Sequence, residues 1–386
     1  MVDESILESV ARATRLREGP PGVLAVLRAV YRAGSLRLQD VARQARLPLP
    51  VATAIRRELE KLDFLERKHG LSLTEKGRTF VEHELGLGLK TDVTCPTCAG
   101  RGVVVPPDFH ALIRRLSEIT ASAPSADVTL DQAPCTPETA MLRALVMLQN
   151  GALEGRRVLL LGDDDSVSIA IGLLGRSLGH DDLTRGVVVA DVDDRFLSFI
   201  SAAAKKEQIR IDTVHHDLRD PLPDALTDSF DTIETDPPYT FEGARLFLAR
   251  GREALSLEGS GVCFFSFAQW PAPQMLELQE LFVAFGWAIR NVWPNFNRYA
   301  GATVLGNAGQ LIELHRGKVV ASDLPTWSGP LYTADVNPRS RAYICAECGA
   351  QLVLGQNRTP DTIEALKAVG CPVCSGRAFH RQAGRG

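Results

Sequence analysis

Two short acidic segments stand out as able to do chemistry on a cation. The apolar run Val158–Leu161 ends in Gly162, Asp163, Asp164 and Asp165. Further along, Thr235–Thr240 reads Thr-Asp-Pro-Pro-Tyr-Thr and contributes Asp236, Pro237 and Tyr239. A carboxylate can hold an ammonium group or take its proton, and a tyrosine ring can wall a cation. Two prolines stiffen the second segment and fix its direction. A nucleotide-binding turn offers several glycines so that backbone can approach pyrophosphate. Here a single glycine precedes three acids, which would repel phosphate. A nucleoside without phosphate, carried on a sulfonium, suits the turn better.

These segments need a scaffold that brings them together. From Thr136 to about residue 320 the chain alternates apolar strands with helices. Strands are expected at Arg157–Leu161, Gly186–Asp191, Ile209–His215, Phe230–Thr235, Gly261–Phe267, Trp287–Trp293 and Gly309–Leu314. Such alternation predicts an α/β fold, a Rossmann-like, methyltransferase-type parallel sheet whose final strand runs antiparallel. Ligands of open α/β sheets bind outside the carboxyl ends of the strands. Asp191 ends the second strand and is the candidate for the ribose hydroxyls, with capping of the next helix as the competing role for Asp191 or Asp193. Asp217 follows the third strand and is the candidate for the adenine amine, against a role as a loop cap. His215 and His216 read as packed or solvated. The aromatics Tyr239, Phe241, Trp270, Trp293, Phe296 and Tyr299 are candidate walls, several of them in the loop Trp293–Gly301.

Three further units surround the sheet. Residues 1–90 read as a winged-helix domain: helices at Gly22–Ala33, Leu38–Ala45 and Val51–Leu62, then a two-stranded wing around Gly70. The third helix carries Arg56 and Arg57 in the recognition position, but Glu58, Glu60, Asp63 and Glu66 lie close and would repel DNA phosphate. Residues 91–135 form a connector with the Cys95/Cys98 pair, and residues 136–330 are the catalytic unit. Residues 331–386 form a zinc-ribbon-like tail with the pairs Cys345/Cys348 and Cys371/Cys374, separated by the 22 residues 349–370. Cys-x-x-Cys pairs in a long chain favour structural zinc over disulfides. With 386 residues, 45% hydrophobic and net charge −4, the composition is globular and offers no basic sleeve for nucleic acid. The apolar runs are too short for a membrane span. The start, Met1–Ser5, does not read as a signal peptide, so a cytoplasmic location is expected.

Asp-Pro-Pro-Tyr after a fourth parallel strand resembles the amino-directed N-methyltransferases of DNA and RNA, but the acidic first turn does not. The methyl donor's α-carboxylate would be repelled there, whereas decarboxylated S-adenosylmethionine, which ends in an ammonium, would be attracted. The pairing of Gly162–Asp165 with Asp236–Thr240 behind an N-terminal winged helix resembles the N(4)-bis(aminopropyl)spermidine synthases, the branched-chain polyamine synthases. The resemblance covers roughly residues 20 to 330. It implies aminopropyl transfer from decarboxylated S-adenosylmethionine to the secondary amine of spermidine, twice, with no redox cofactor. It places Asp165 nearest the attacking nitrogen, with Asp163, Asp164 and Asp236 lining the same pocket. Such polyamines are associated with thermophiles. A homodimer is expected. Two other readings compete: an N-methyltransferase of nucleic acid guided by the winged helix, and a non-enzymatic regulator whose sheet domain senses a polyamine or nucleoside.

Overall fold

The computed structural model describes residues 5–88, 95, 97–98, 100–180, 183–258, 260–300, 309–317, 326–333, 340–355 and 363–381. Thr94, Pro96 and Ala99 around the first cysteine pair, and Gly301 of the aromatic loop, lie outside them.

The N-terminal unit packs helices α1 (Ile6–Ala13), α2 (Pro20–Ala33), α3 (Leu38–Ala45) and α4 (Leu49–Lys61) on the antiparallel hairpin β1 (Leu65–Arg67) and β2 (Leu71–Leu73). A short helix α5 (Glu75–Thr79) follows and passes into one π-helical turn over Phe80–Glu84. The apolar positions of α2 and α4, among them Val23, Val26, Leu27, Ile55 and Leu59, recur at helical spacing and meet in one core. Arg56 is turned inward, 4% exposed, and pairs with Glu60 at 3.2 Å, while Arg57 faces solvent.

Helix α6 (His110–Thr120) packs on the central core: Leu116 and Ile119 meet residues of the sheet's helices. Helix α7 (Pro137–Gln149) opens with Thr136, whose hydroxyl accepts the Thr139 N–H, and with proline at its first position. The sheet strands are β3 (Arg157–Leu161), β4 (Gly186–Asp191), β5 (Asp212–His215), β6 (Thr232–Thr235), β7 (Val262–Phe267), β8 (Trp287–Asn297) and β9 (Gly309–Arg316). Their order is β5-β4-β3-β6-β7-β9-β8, parallel except for β9. Helices α8 (Val167–Ser177), α9 (Asp194–Glu207), α10 (Phe241–Ala254) and α11 (Ala272–Ala284) connect them.

Strand period explains the two-sided core. Val158 and Leu160 of β3 face one cluster, with residues of α7, α8 and α9. Leu159 and Leu161 face the other, with residues of α10 and α11. All four are fully buried, at about 2 kcal/mol of apolar transfer each. Strand order turns around at β3: β4 lies on one side and β6 on the other. Such a switch point opens a crevice at the carboxyl ends, where both acidic segments emerge.

The expected strands differ from the observed ones mainly at their ends. Phe230 makes only an isolated bridge to Leu255. β8 runs on to Asn297, past Trp293, through a register irregularity at Pro294 and at Asn295, whose φ is +54°. Strands β10 (Ser340–Cys345), β11 (Gln351–Gly355) and β12 (Phe379–Arg381) form a separate antiparallel sheet, with a helix over Ile363–Val369. Among the described residues no helix is long and apolar enough to cross a membrane.

Candidate active site

Gly162 leaves β3 with φ +75°, a conformation that favours glycine. The next three carboxylates then diverge. Asp163 turns back beneath the loop and accepts from the backbone N–H groups of Val167 (2.6 Å) and Ser168 (3.2 Å) and from the Ser168 hydroxyl. It anchors the first turn of α8, and burial pushes its carboxyl up to about 8. Asp164 is half-buried and accepts the Ala133 N–H at 3.1 Å. Burial, then the charges of Asp165, Asp236 and Asp191, raise it well above the usual carboxylate range. Asp165 accepts the Cys135 N–H at Oδ1 and the Arg143 guanidinium at Oδ2, the latter at 2.6 Å.

The second segment meets the first at this guanidinium. Arg143 Nη2 donates to Asp236 Oδ2 at 2.7 Å, Nη1 also reaches Glu234 Oε1 at 3.2 Å, and Nε donates to Asn297 Oδ1 at 2.9 Å. Asn297 is itself held by the Gln310 carbonyl at 3.1 Å. Glu234 is buried and raised well above its usual range by desolvation, with Arg143 opposing. Asp236 is pushed up to about 6 by burial, with the Arg143 charge opposing and Asp165 adding to the rise. The Tyr299 hydroxyl donates to Asp236 Oδ2 at 2.7 Å, and the Tyr239 and Tyr299 hydroxyls are hydrogen-bonded to each other. Pro237 and Pro238 are buried, and the turn closes when Thr240 caps α10 through the Gly243 N–H at 2.8 Å. A Cβ on Gly243 would lie 2.5 Å from the Pro238 carbonyl, so the tight turn requires glycine there.

The expected aromatic walls separate into distinct places. Tyr239 and Tyr299 meet edge-on with centroids 6.3 Å apart, Tyr239 meets Phe267 at 5.2 Å, and Phe267 meets Trp270 at 4.7 Å. Phe296 is fully buried in the core, and Phe241 packs on the second cluster. Trp293 lies near Gly102 of the connector.

The nucleoside candidates sit on the other side of Gly162. Asp191 accepts the Asp193 N–H at 2.8 Å and the Asp163 N–H at 3.3 Å, and burial raises it. Asp193 caps α9 through the Arg195 N–H at 3.0 Å. Asp217 is bound by Arg219, with Nε 2.9 Å from Oδ2. Burial alone would raise it, but the Arg219 hydrogen bonds and charge hold it below its ordinary value. Residues 326–333 run across this side: the Leu331 carbonyl accepts from the Thr240 hydroxyl at 2.7 Å, and the Thr333 N–H donates to Asp131 at 2.6 Å. Tyr332 is pushed up to about 12, first by burial, with Asp217, Asp191 and Asp131 adding to the rise.

Sequence reasoning missed Arg143, Glu234 and Asn297. The signal was present. Arg143 interrupts the apolar helix Pro137–Gln149, and Glu234 sits in a strand buried at every position. A charge on an otherwise apolar face calls for a partner.

In the tail, the Sγ atoms of Cys345, Cys348, Cys371 and Cys374 lie within 4.8 Å of one another. Cys345 and Cys374 are 3.5 Å apart, Cys348 and Cys371 3.7 Å. Tetrahedral zinc with 2.3 Å bonds requires sulfurs about 3.8 Å apart, so the four thiols fit a metal. Each pair sits in a tight turn: the Gly349 N–H returns to the Cys345 carbonyl at 3.0 Å, and Ser375 N–H to Cys371 at 2.7 Å. Cys98 is buried and accepts the Gly102 N–H, and Cys95 is exposed. Among the described residues this pair joins no metal-ligating group.

Residues 111–316 match the model of the branched-chain polyamine synthase A C-terminal domain. An uncharacterised protein of Methanocaldococcus jannaschii is 35% identical over 97% of this chain and 92% of its own length. The N(4)-bis(aminopropyl)spermidine synthase of Thermococcus kodakarensis is 35% identical over 76% of this chain and 82% of its own. The crystal structure of the branched-chain polyamine synthase of Thermus thermophilus, in complex with N4-aminopropylspermidine and 5'-methylthioadenosine, superposes with TM-score 0.64. It is 26% identical and covers 84% of this chain and 96% of that one. The matched span contains both acidic segments and the switch point between them, and on this ground the chain belongs to the branched-chain polyamine synthase family.

Proposed function

We propose that this protein transfers aminopropyl groups from decarboxylated S-adenosylmethionine to the secondary amine of spermidine, twice. The products are N(4)-bis(aminopropyl)spermidine and methylthioadenosine. The observation that carries the reading is the acid cluster itself: Asp164, Asp165 and Asp236 converge at the switch point beside a tyrosine pair, behind a turn with a single glycine. A cationic donor and a cationic acceptor suit it, and a phosphate or an α-carboxylate does not. The Thermus relative's complex with N4-aminopropylspermidine and 5'-methylthioadenosine supports the same chemistry.

The mechanism follows from charge. The acceptor enters protonated and must lose a proton before its nitrogen can attack. That nitrogen then forms a bond to the propyl carbon beside sulfur, the carbon–sulfur bond breaks, and the electron pair leaves on neutral methylthioadenosine. We assign Asp165 to the acid nearest the attacking nitrogen, which takes the proton, and Asp236 to the carboxylate that steadies the ammonium. Asp164 holds a flanking ammonium, Gly162 and Pro237 shape the wall, and Tyr239 lines it. Asp163 serves the pocket from behind by holding the turn. Asp191 takes the ribose hydroxyls and Asp217 the adenine amine. Alignment of amine and carbon supplies much of the acceleration. The second transfer starts from a tertiary amine and yields a quaternary ammonium with no proton to shed.

We read residues 1–90 as a winged helix used for assembly or for shaping the acceptor entrance, 91–135 as the connector, and 136–330 as the catalytic unit, with Leu331–Thr333 packed on it. We read 331–386 as a zinc-ribbon-like tail in which Cys345, Cys348, Cys371 and Cys374 hold one structural zinc. The expected assembly is a homodimer, which light scattering in solution tests. Incubation with decarboxylated S-adenosylmethionine and spermidine, with products identified by mass spectrometry, tests the activity. Masses of singly and doubly aminopropylated spermidine are expected. Their absence, or methyl transfer from S-adenosylmethionine to any amine, would overturn the reading.

A further inference from the structure

We propose that Arg143 is a positioning residue of this site: its guanidinium ties Asp165 of the first turn to Asp236 of the second and fixes both against the acceptor. The inference rests on the activity proposed above.

Arg143 lies mid-helix in α7, is fully buried, and is flanked by Leu142 and Ala144 of the apolar core. A buried guanidinium is costly unless its hydrogen bonds are met, and a hydrophobic side chain of similar volume packs such a helix without that cost. Here the fork is used at three nitrogens. Asp165 leaves the end of β3 and Asp236 the end of β6, and one planar group spans the two at 2.6 and 2.7 Å. Lysine, a point charge, cannot hold that spacing. Among the described residues Arg143 is the one basic side chain in salt-bridge contact with Asp165, Glu234 or Asp236. The fork is aimed in turn by Asn297, at the far end of β8.

The neighbours explain why a resident cation is needed. From the first turn come Asp164 and Asp165, with Asp163 beneath them, and the charges of Asp165, Asp236, Asp191 of β4 and Asp163 all raise Asp164. From β6 and its loop come Glu234, Asp236 and Tyr239, and from beyond β8 comes Tyr299. Cys135 closes the side beneath α7. Among the described residues that act on this cluster every ionisable group except Arg143 is an acid, so each ionised carboxyl makes the next harder to ionise. The guanidinium opposes this at Asp236. Asp165 takes one donor on each oxygen and keeps a second lone pair on both, and Asp236 takes Arg143 and Tyr299 on Oδ2 and keeps Oδ1, so the bond to Arg143 does not close either acid to the acceptor.

The test is the pH profile of kcat/KM for spermidine in Arg143→Lys, against the native protein. Asn297→Ser, which keeps the charge but loosens its aim, is measured in parallel. Activity of the native protein first establishes the proposed reaction; without it that reading fails, whatever the variants do. Given native activity, Arg143→Lys is expected to lose at least about tenfold in kcat at neutral pH. Its acid limb should move to higher pH, and part of the rate should return in alkaline buffer. Asn297→Ser should shift the same way by less, and it carries the test if Arg143→Lys does not fold. Methylthioadenosine binding should persist in both, because Asp191 and Asp217 make no contact with the guanidinium. A purely structural role would lower thermal stability and the active fraction and leave the limb in place. An unshifted acid limb in a folded variant that binds methylthioadenosine would overturn the proposal.

Discussion

Replacing Asp165 by Asn separates catalysis from packing at this site. The carboxylate of Asp165 faces two donors, the Cys135 N–H at one oxygen and Arg143 Nη1, 2.6 Å away, at the other. An amide offers one oxygen and one NH2. If the oxygen stays on Cys135, the NH2 faces the guanidinium and donor meets donor; if it flips, the conflict moves to Cys135. Either way one buried donor loses its partner, at about 1–3 kcal/mol. Arg143 keeps Glu234 and Asp236, so no bare charge is left in the core. The variant should therefore fold, with stability reduced by that amount. Catalysis loses both a base and a negative charge. General-base loss costs about 10²–10⁴-fold in turnover, which at 1.36 kcal/mol per decade is about 3–5 kcal/mol of barrier. Turnover at saturating donor and acceptor, read by mass spectrometry, is compared with a denaturant melt and methylthioadenosine calorimetry on the same preparation. Near-normal turnover in a folded Asp165→Asn protein would refute the assignment and move the role to another acid.

Other outcomes follow from the same geometry. Decarboxylated S-adenosylmethionine should bind at least about tenfold more tightly than S-adenosylmethionine by calorimetry, a difference of about 1.4 kcal/mol; equal affinities would remove the basis for the donor. Asp163, pushed up from 3.8 to about 8, keeps a proton in the fold that the unfolded chain has given up. Its contribution to stability is complete below pH 4 and is lost as the pH rises to 8, on the order of 5 kcal/mol; Asp193, held at about 2 by Arg195, acts in the opposite direction only below pH 4. The ligand-free protein should thus resist denaturant better at pH 5.5 than at pH 8, and the reverse order would contradict this. Metal analysis should find one zinc per chain, lost in a Cys345→Ser, Cys371→Ser double variant, and a metal-free native protein would rule out the ribbon. The 1–90 fragment should give no salt-sensitive footprint on a defined duplex, since Arg56 is turned into the core; such a footprint would revive a DNA-directed role.

The sheet was legible because its signal is local and redundant. Each strand of the catalytic unit is an apolar run with punctuation at its end, and five of the seven expected starts match the observed ones to within one residue. The ends of β5, β6 and β8 were less readable. Ile211 and Phe230 have strand-like side chains, but pairing partners decide whether they join the ladder, and those come from distant segments. Both acidic segments could be located for the same reason, since they end strands. How their carboxylates divide could not. Asp163, Asp164 and Asp165 are adjacent and chemically identical, yet one anchors α8, one accepts the Ala133 N–H and one meets Arg143. Gly162 and Ser166, on either side of the three acids, both take positive φ, a backbone feature that the acids' own identities do not announce.

An internal cation in an acidic pocket changes what that pocket can select. In a cluster built only of carboxylates each ionised group makes the next harder to ionise, as at Asp164, where burial and then the charges of Asp165, Asp236, Asp191 and Asp163 all raise the carboxyl. Its charge would then depend on the medium rather than on the ligand. With Arg143 opposing the rise, Asp236 is pushed up only to about 6, while burial raises Asp163 to about 8 and Asp164 and Glu234 well above the usual carboxylate range. Two kinds of acid thus coexist within one crevice, one ready to hold or accept charge and one able to release a proton when a polycation arrives. That separation of proton affinities among neighbouring groups is the arrangement acid–base chemistry requires. From α7 one fork reaches both turns, Asp165 after β3 and Asp236 after β6.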